Sequence, residues 1–457
     1  MKKPLILAAL IGVAAVSFPL SNLMHQPSAE SQAVLAQIKD PHLKKAAPIL
    51  QNKCLDCHSS QTRMPFYANF PIARDLIGKD IEEGSEHFNM SGKFANDGAG
   101  FTELDLARLE GVLNTQSMPP LRYVALHWNA GLSQQDSEDL RSWIHNLRGQ
   151  RRQTVGIHSN FAGDAVEPLP LVTVLDANKV ALGRKLFHDK RLSGDNTLSC
   201  ASCHDLKKGG TDRSKTATGI RGQIGPINVP TVFNAGNNIK QFWDGRAGTL
   251  EEQAGGPVNN PMEMGANWKL VIDRLNKDPE MVNTFHRLYP DGITSANIVS
   301  AIATFERSLV TTNSKLDQYL RGNKTALSAS EARGYELFKA NCASCHAGKN
   351  LGGLSFEKMG RKADYFAARD GKITEVDYGL YNFTKKEQDK FKFKVPTLRN
   401  IAQTAPYFHD GSAETLEEAV RVMGQYQVGK HFSEKDVNDI TAFLKTLTGE
   451  YEGKPVE

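Results

Sequence analysis

Every cysteine of the chain falls in one of three five-residue segments: Cys54-Leu55-Asp56-Cys57-His58, Cys200-Ala201-Ser202-Cys203-His204 and Cys342-Ala343-Ser344-Cys345-His346. This pattern attaches c-type haem covalently. On one turn of helix, cysteines three residues apart face the two porphyrin vinyl groups, and the next residue aims an imidazole at the iron. A zinc site would need two Cys-x-x-Cys pairs brought together, and a redox dithiol would not need a histidine after every pair. The expectation is three covalently bound haems c, with Cys54, Cys57, Cys200, Cys203, Cys342 and Cys345 forming thioethers and His58, His204 and His346 as proximal iron ligands. No cysteine remains for a disulfide.

Function then depends on the sixth iron position. A Met there gives a closed electron-transfer haem, whereas an open position permits chemistry on oxygen species. In the first segment Met118, followed by Pro119-Pro120, can be presented on a rigid loop and is the preferred ligand, with Met64, Met90 and His127 as rivals. In the third, Met423 competes with Met359, and spacing alone leaves the two open. The middle segment has no comparable Met loop. There Met262 and Met264 flank an acid, Glu263, in a Pro- and Asn-rich stretch. A carboxylate delivered by a loop can take a proton from bound peroxide and return it to the leaving oxygen. A solvated loop acid is the plain alternative.

Short helical patterns broken by Gly, Pro and Asn must position these groups, and long alternating runs are scarce, so the fold class is all-α. At 457 residues the chain exceeds a single core. It reads as three cytochrome c-like haem domains in tandem after an N-terminal hydrophobic anchor: 1–30, 31–160, 161–325 and 326–457. An internal repeat supports the modules, since Gly183-Arg184-Lys185-Leu186-Phe187 precedes the second motif and Gly334-Tyr335-Glu336-Leu337-Phe338 the third. Met1-Lys2-Lys3 and the uncharged run Pro4 to Met24 form an export signal. Its length favours a retained anchor, which places the body in the periplasm on the inner membrane. The alternative is cleavage and a soluble periplasmic protein. A net charge of +4 from 55 basic and 51 acidic residues names no acidic partner, and no basic run suggests nucleic acid.

Several further segments carry a resemblance: Leu182 to Phe187, Leu198 to His204, Pro230-Thr231-Val232-Phe233-Asn234-Ala235, Gln241-Phe242-Trp243-Asp244-Gly245-Arg246-Ala247, Leu250 to Ala254, Pro396-Thr397-Leu398-Arg399-Asn400 and Tyr407-Phe408-His409-Asp410-Gly411. From about residue 165 onward the chain closely resembles the bacterial di-haem cytochrome c peroxidase family, and its extra N-terminal haem module resembles the tri-haem, membrane-bound quinol peroxidase branch. The resemblance implies that the His204 haem is peroxidatic, with Glu263 as acid-base catalyst and Gln253 assisting by hydrogen bonding. It places Trp243 between the two haems and gives His346 the partner Met423. It also implies a calcium ion held by the Asn228 side chain and the carbonyls of Thr404 and Pro406.

One departure stands out. Ile220 occupies the position where many members carry a histidine that blocks the resting peroxidatic iron, so an iron open to peroxide without prior reduction is expected. The expected activity is reduction of hydrogen peroxide to water with electrons from membrane quinol. The alternatives are a soluble cytochrome or cupredoxin donor, a residue-modifying enzyme, or a non-catalytic multihaem carrier. Association with further copies of the chain stays open.

Overall fold

A computed structural model of the chain describes residues 16–17, 19–20, 22, 29–59, 64, 66–153, 156–369 and 371–457. It is mostly helical, and its described strands form two short antiparallel pairs. The chain folds into two compact units, Met1–Thr154 with Ser159–Ala165, and Val155–His158 with Val166–Glu457.

In the first unit, helix α1 (Pro41–Lys53) starts at Asp40, whose carboxylate accepts from the Leu43 amide, and runs into the first Cys-x-x-Cys-His segment. Helices α2 (Pro71–His87) and α3 (Glu103–Thr115) follow, and α4 (Gln134–Arg151) closes the core. Thr102 and Ser133 open α3 and α4 with capping boxes, satisfying amides the helices would leave unpaired. The apolar stripe Leu43, Ala46, Ala47 and Leu50 of α1 meets Leu140, Trp143, Ile144 and Leu147 of α4.

Arg148, with no exposed side-chain surface, sits under this core. It donates to Glu103 at 2.9 Å, Glu110 at 2.8 Å and the Gly163 carbonyl at 2.7 Å. Burial would raise the Glu110 carboxyl, but hydrogen bonds from His145 and Arg148 outweigh it and hold it at about 2. This depressed carboxyl stabilises the fold above its ordinary value of 4.5 and ceases to do so as pH falls toward about 2. Arg148→Met should therefore cost the first unit roughly 3–5 kcal/mol, because Glu110 loses its guanidinium and Glu103 is left with that of Arg152. Urea denaturation of the full-length holoprotein at neutral pH measures this, and an unchanged midpoint would count against the network.

The second unit repeats the helix pairing twice. Helix α5 (Ala177–Phe187) precedes the second haem motif; α6 (Leu250–Asn259) and α7 (Ser295–Ser308) follow. Helix α8 (Ala329–Asn341) precedes the third motif, followed by strands β1 (Phe356–Lys358) and β2 (Lys392–Lys394), then α9 (Leu416–Val422) and α10 (Glu434–Lys445). Helices α5 and α7 touch backbone to backbone, since a Cβ on Gly183 would lie 1.9 Å from the Ala301 carbonyl oxygen. Gly334 meets the Asp439 carbonyl of α10 at the same distance, so glycine is required at both crossings. The closing helices share a sequence pattern: Trp143 and Leu147, Phe305 and Leu309, Phe443 and Leu447 are all buried.

The expected inner-membrane anchor is corrected here. Most of Pro4 to Met24 lies outside the described residues, and among those described no helix is long and apolar enough to cross a membrane. At the far end of the segment, buried Asn22 donates to Tyr67 Oη at 3.0 Å and to the Leu126 carbonyl at 2.8 Å. That polar side chain is spent inside the first unit, where it is hydrogen-bonded and not facing lipid.

Candidate functional site

All three motif histidines are held in the same way. His58 Nδ1 lies 2.9 Å from the Gly84 carbonyl and 2.8 Å from that of Phe88; His204 Nδ1 is 3.3 Å from Gly210 O, and His346 Nδ1 is 3.0 Å from Leu351 O. A carbonyl can only accept, so Nδ1 carries the proton and Nε2 keeps its lone pair for a metal. Burial lowers the His204 and His346 imidazoles below the ordinary value, which keeps them neutral as ligation requires. None of the six cysteines is in a disulfide. Burial pushes Cys54, Cys200 and Cys342 up to about 12, which disfavours a thiolate metal site. In the third motif region, Lys394 is 6% exposed, meets no carboxylate among the described residues, and is lowered to about 8 by burial. An unpaired buried ammonium suits the propionates of a porphyrin. The residues fit haem c.

Glu263 is set on a short loop tied down on every side. Asn260 ends α6, and its side chain accepts from the Met262 amide at 2.9 Å while its amide nitrogen donates to Glu263 Oε1 at 2.8 Å. The Ile220 amide donates to the Glu263 carbonyl at 2.7 Å, the Gly194 amide to the Met264 carbonyl at 2.7 Å, and Gln223 Nε2 to the Pro261 carbonyl at 2.8 Å. Gly219 is indispensable beneath it, because a Cβ there would lie 1.8 Å from the Met262 carbonyl oxygen. Burial raises the Glu263 carboxyl above its ordinary value, against the opposing Arg246 charge and the Asn260 hydrogen bond. A carboxyl raised in this way holds a proton more readily than a solvated one, which is a property acid-base chemistry can use.

Trp243 and Met423 belong to one aromatic cluster with Met359, Tyr365, Phe366 and Phe393. The Trp243 indole donates to the Asn228 carbonyl at 3.0 Å, and the Asn228 amide donates to the His409 carbonyl at 2.8 Å. Met423 opens a π-helical turn, Met423–Val428, a distortion frequent at functional sites. Asp377, His409 and Asp410 have metal-ligand spacing, but the Arg369 guanidinium already bridges Asp377 at 2.9 Å and Asp410 at 2.6 Å. The cluster is a buried ion-pair network.

Residues 177–325 match the di-haem cytochrome c peroxidase family, residues 10–146 a haem-binding domain and residues 331–448 the cytochrome c domain. Over 449 residues, 97% of this chain and 96% of the relative, the sequence is 43% identical to the cytochrome c peroxidase Ccp of Escherichia coli (strain K12). The chain belongs to the bacterial di-haem cytochrome c peroxidase family. It is a haem peroxidase with haem c as cofactor. It is also 45% identical over 291 residues to the cytochrome c551 peroxidase of Nitrosomonas europaea, covering 63% of this chain and 85% of that one. A solved MauG-like protein associated with microbial copper homeostasis aligns with a TM-score of 0.55 and 32% identity over 62% of this chain and 93% of its own.

The peroxidase's remaining sequence-derived candidates fall unevenly. Gln253 is half-buried on α6, and its side chain makes no hydrogen bond to a described residue. Of the rivals for the first iron, Met90 is fully buried and its amide donates to the His58 carbonyl at 2.8 Å. His127 has both ring nitrogens engaged, by the Tyr123 carbonyl and Tyr67 Oη. Met118 and Met64 present exposed thioethers. Asn228 is buried, with its amide donating to the Ser214 carbonyl at 2.9 Å; Arg213 Nε donates to the Gln403 carbonyl at 3.0 Å, which brings the loop of Thr404 and Pro406 alongside. Sequence reasoning missed Asn260, Arg246 and Gly219. Only Asn260-Pro261 carried a signal, as a turn-initiating pair.

Proposed function

We propose that the protein is a three-haem peroxidase that reduces hydrogen peroxide to two waters, consuming two protons and two electrons, at the haem of Cys200, Cys203 and His204. The observation that supports this best is Glu263, a partly desolvated carboxylate fixed by Asn260 and Ile220 in the one module without a Met loop. Haem iron, when bound, supplies the open coordination position and the redox capacity that peroxide cleavage needs. Glu263 takes the proton of the near peroxide oxygen and returns it to the far one as the O–O bond breaks, so that water leaves. Asn260 orients Glu263, and Gln253 assists by hydrogen bonding.

His58 with Met118, and His346 with Met423, would hold the other two haems, which would supply electron transfer, and Trp243 would stand between the second of them and the peroxidatic site. The Asn228 side chain and the Thr404 and Pro406 carbonyls, a donor set of hard oxygens, would hold a calcium ion that would brace the loops. The donor we assign is a small redox protein, a cytochrome or cupredoxin. The name of the Nitrosomonas relative pairs that enzyme with a cytochrome, and no observation here favours quinol. The charged and then apolar N-terminus reads as an export signal toward the compartment where haem c is attached. Met423 argues against residue modification, for which the family carries tyrosine at that position.

With Ile220 in place of a blocking histidine, oxidised enzyme should turn over without prior reduction; a bis-histidine low-spin signal from the peroxidatic haem would contradict this. Steady-state kinetics on purified holoenzyme test the donor. Reduced cytochrome or cupredoxin should support rapid peroxide-dependent oxidation, and turnover with quinol alone would overturn that assignment.

A further inference from the structure

The three closing helices carry a difference that their shared pattern makes visible. The residue after the buried aromatic is Ile144 in α4 and Leu444 in α10, both buried hydrocarbons, but in α7 it is Glu306. Glu306 is 4% exposed and stands on the same apolar stripe as Ile298, Ala301, Ile302 and Phe305. Its Oε2 is fully buried with no hydrogen-bond partner among the described residues. A carboxyl in that position costs free energy unless something absent from the protein chain answers it.

The neighbourhood identifies what that is. Phe305 and Leu309, on either side of Glu306, belong to the core against which Cys200 packs. Burial and then the Glu306 charge raise the Cys200 thiol, so the carboxyl acts on the attachment point of the peroxidatic haem. The other charged or titratable groups that reach Glu306 are few. Arg307 and Glu251 of α6 pair with each other at 2.6 and 2.8 Å and largely cancel, and Cys200 becomes an uncharged thioether.

We propose that Glu306 is the proton partner of the haem bound through Cys200 and Cys203: it takes up one proton from solvent as one electron arrives on the iron, and releases it when the electron leaves. The carboxylate becomes a carboxylic acid as ferric iron becomes ferrous, so the net charge of the buried site is unchanged, and in a low-dielectric interior that avoids a large electrostatic cost. The modules of His58 and His346 have hydrocarbon in this place, while the module of His204 has an acid. Burial drives the Glu306 carboxyl up to about 8, which puts the exchange in the working range of pH.

The proposal rests on haem occupying the His204 site, not on peroxide being its substrate. Its test is a spectroelectrochemical titration of the full-length holoenzyme from about pH 6 to about pH 9, in wild type, Glu306→Gln and Glu306→Leu. Leucine stands at the equivalent place in α10, as Leu444. In wild type the potential of the His204 haem should fall as pH rises, and in both variants that slope should be lost while the other two haems keep theirs. A pH-independent potential in wild type, or a slope retained in either variant, would overturn the role of Glu306 and leave the peroxidase reading untouched. A slope present without peroxide turnover would do the reverse.

Discussion

Glu263→Gln should lower peroxide turnover by roughly a hundred- to ten-thousandfold, the range for removing a positioned acid-base group, with haem content unchanged. The amide keeps the shape and can keep a hydrogen-bond contact with Asn260, so the loop has no reason to move. What it cannot do is hold a proton between the two peroxide oxygens. The pH profile separates this from a structural effect. Glu263 must be ionised to begin the cycle, and burial holds its carboxyl above the ordinary 4.5, so the wild-type rate should decline as pH falls through a value above 4.5. That acidic limb should be absent from whatever activity the variant keeps. Turnover near that of wild type would remove Glu263 from the mechanism.

Gly219→Ala should cost about a hundredfold with no change in the acid itself. The added methyl would lie 1.8 Å from the Met262 carbonyl oxygen and 3.0 Å from the Glu263 Cα, so the backbone carrying the acid must shift. A displacement on the order of 1 Å at a reacting group is worth roughly that factor. Gly219 has ordinary negative φ, so alanine there meets no conformational penalty of its own, and the loss isolates the position of Glu263. Steady-state kinetics and haem quantification on the holoenzyme check it; full activity would mean that the loop absorbs the methyl without moving its carboxylate.

These two residues mark where the sequence stopped being readable. The haem attachment residues are local in sequence, and their motif needs no tertiary information. The helix pairing is legible in part, because Gly183-Arg184-Lys185-Leu186-Phe187 and Gly334-Tyr335-Glu336-Leu337-Phe338 announce the repeat, whereas the closing helices share only a buried aromatic, Trp143, Phe305 and Phe443, which carries no signal without the fold. Glu263 could be named from its loop and from the family resemblance. What fixes it could not, since Gly194 and Ile220 act through backbone amides, Gly219 through the absence of a side chain and Gln223 through an amide reaching a backbone carbonyl, all from 38 or more residues away. Ile220 was legible only as a missing histidine, whereas in the fold its amide holds the Glu263 carbonyl. The apolar run at the N-terminus was read by length and composition as an anchor, and neither reports that Asn22 is hydrogen-bonded within the first unit.

The proposed function requires one open iron, that of His204, and two irons closed by methionine. Titrating the fully oxidised holoenzyme with cyanide, a strong ligand for ferric iron, tests it most directly. A single haem per chain should shift from high spin to low spin, the other two spectra should stay unchanged, and peroxide turnover should be inhibited in proportion. A protein in which no haem binds cyanide, all three already being low spin, would contradict it and leave an electron carrier in its place.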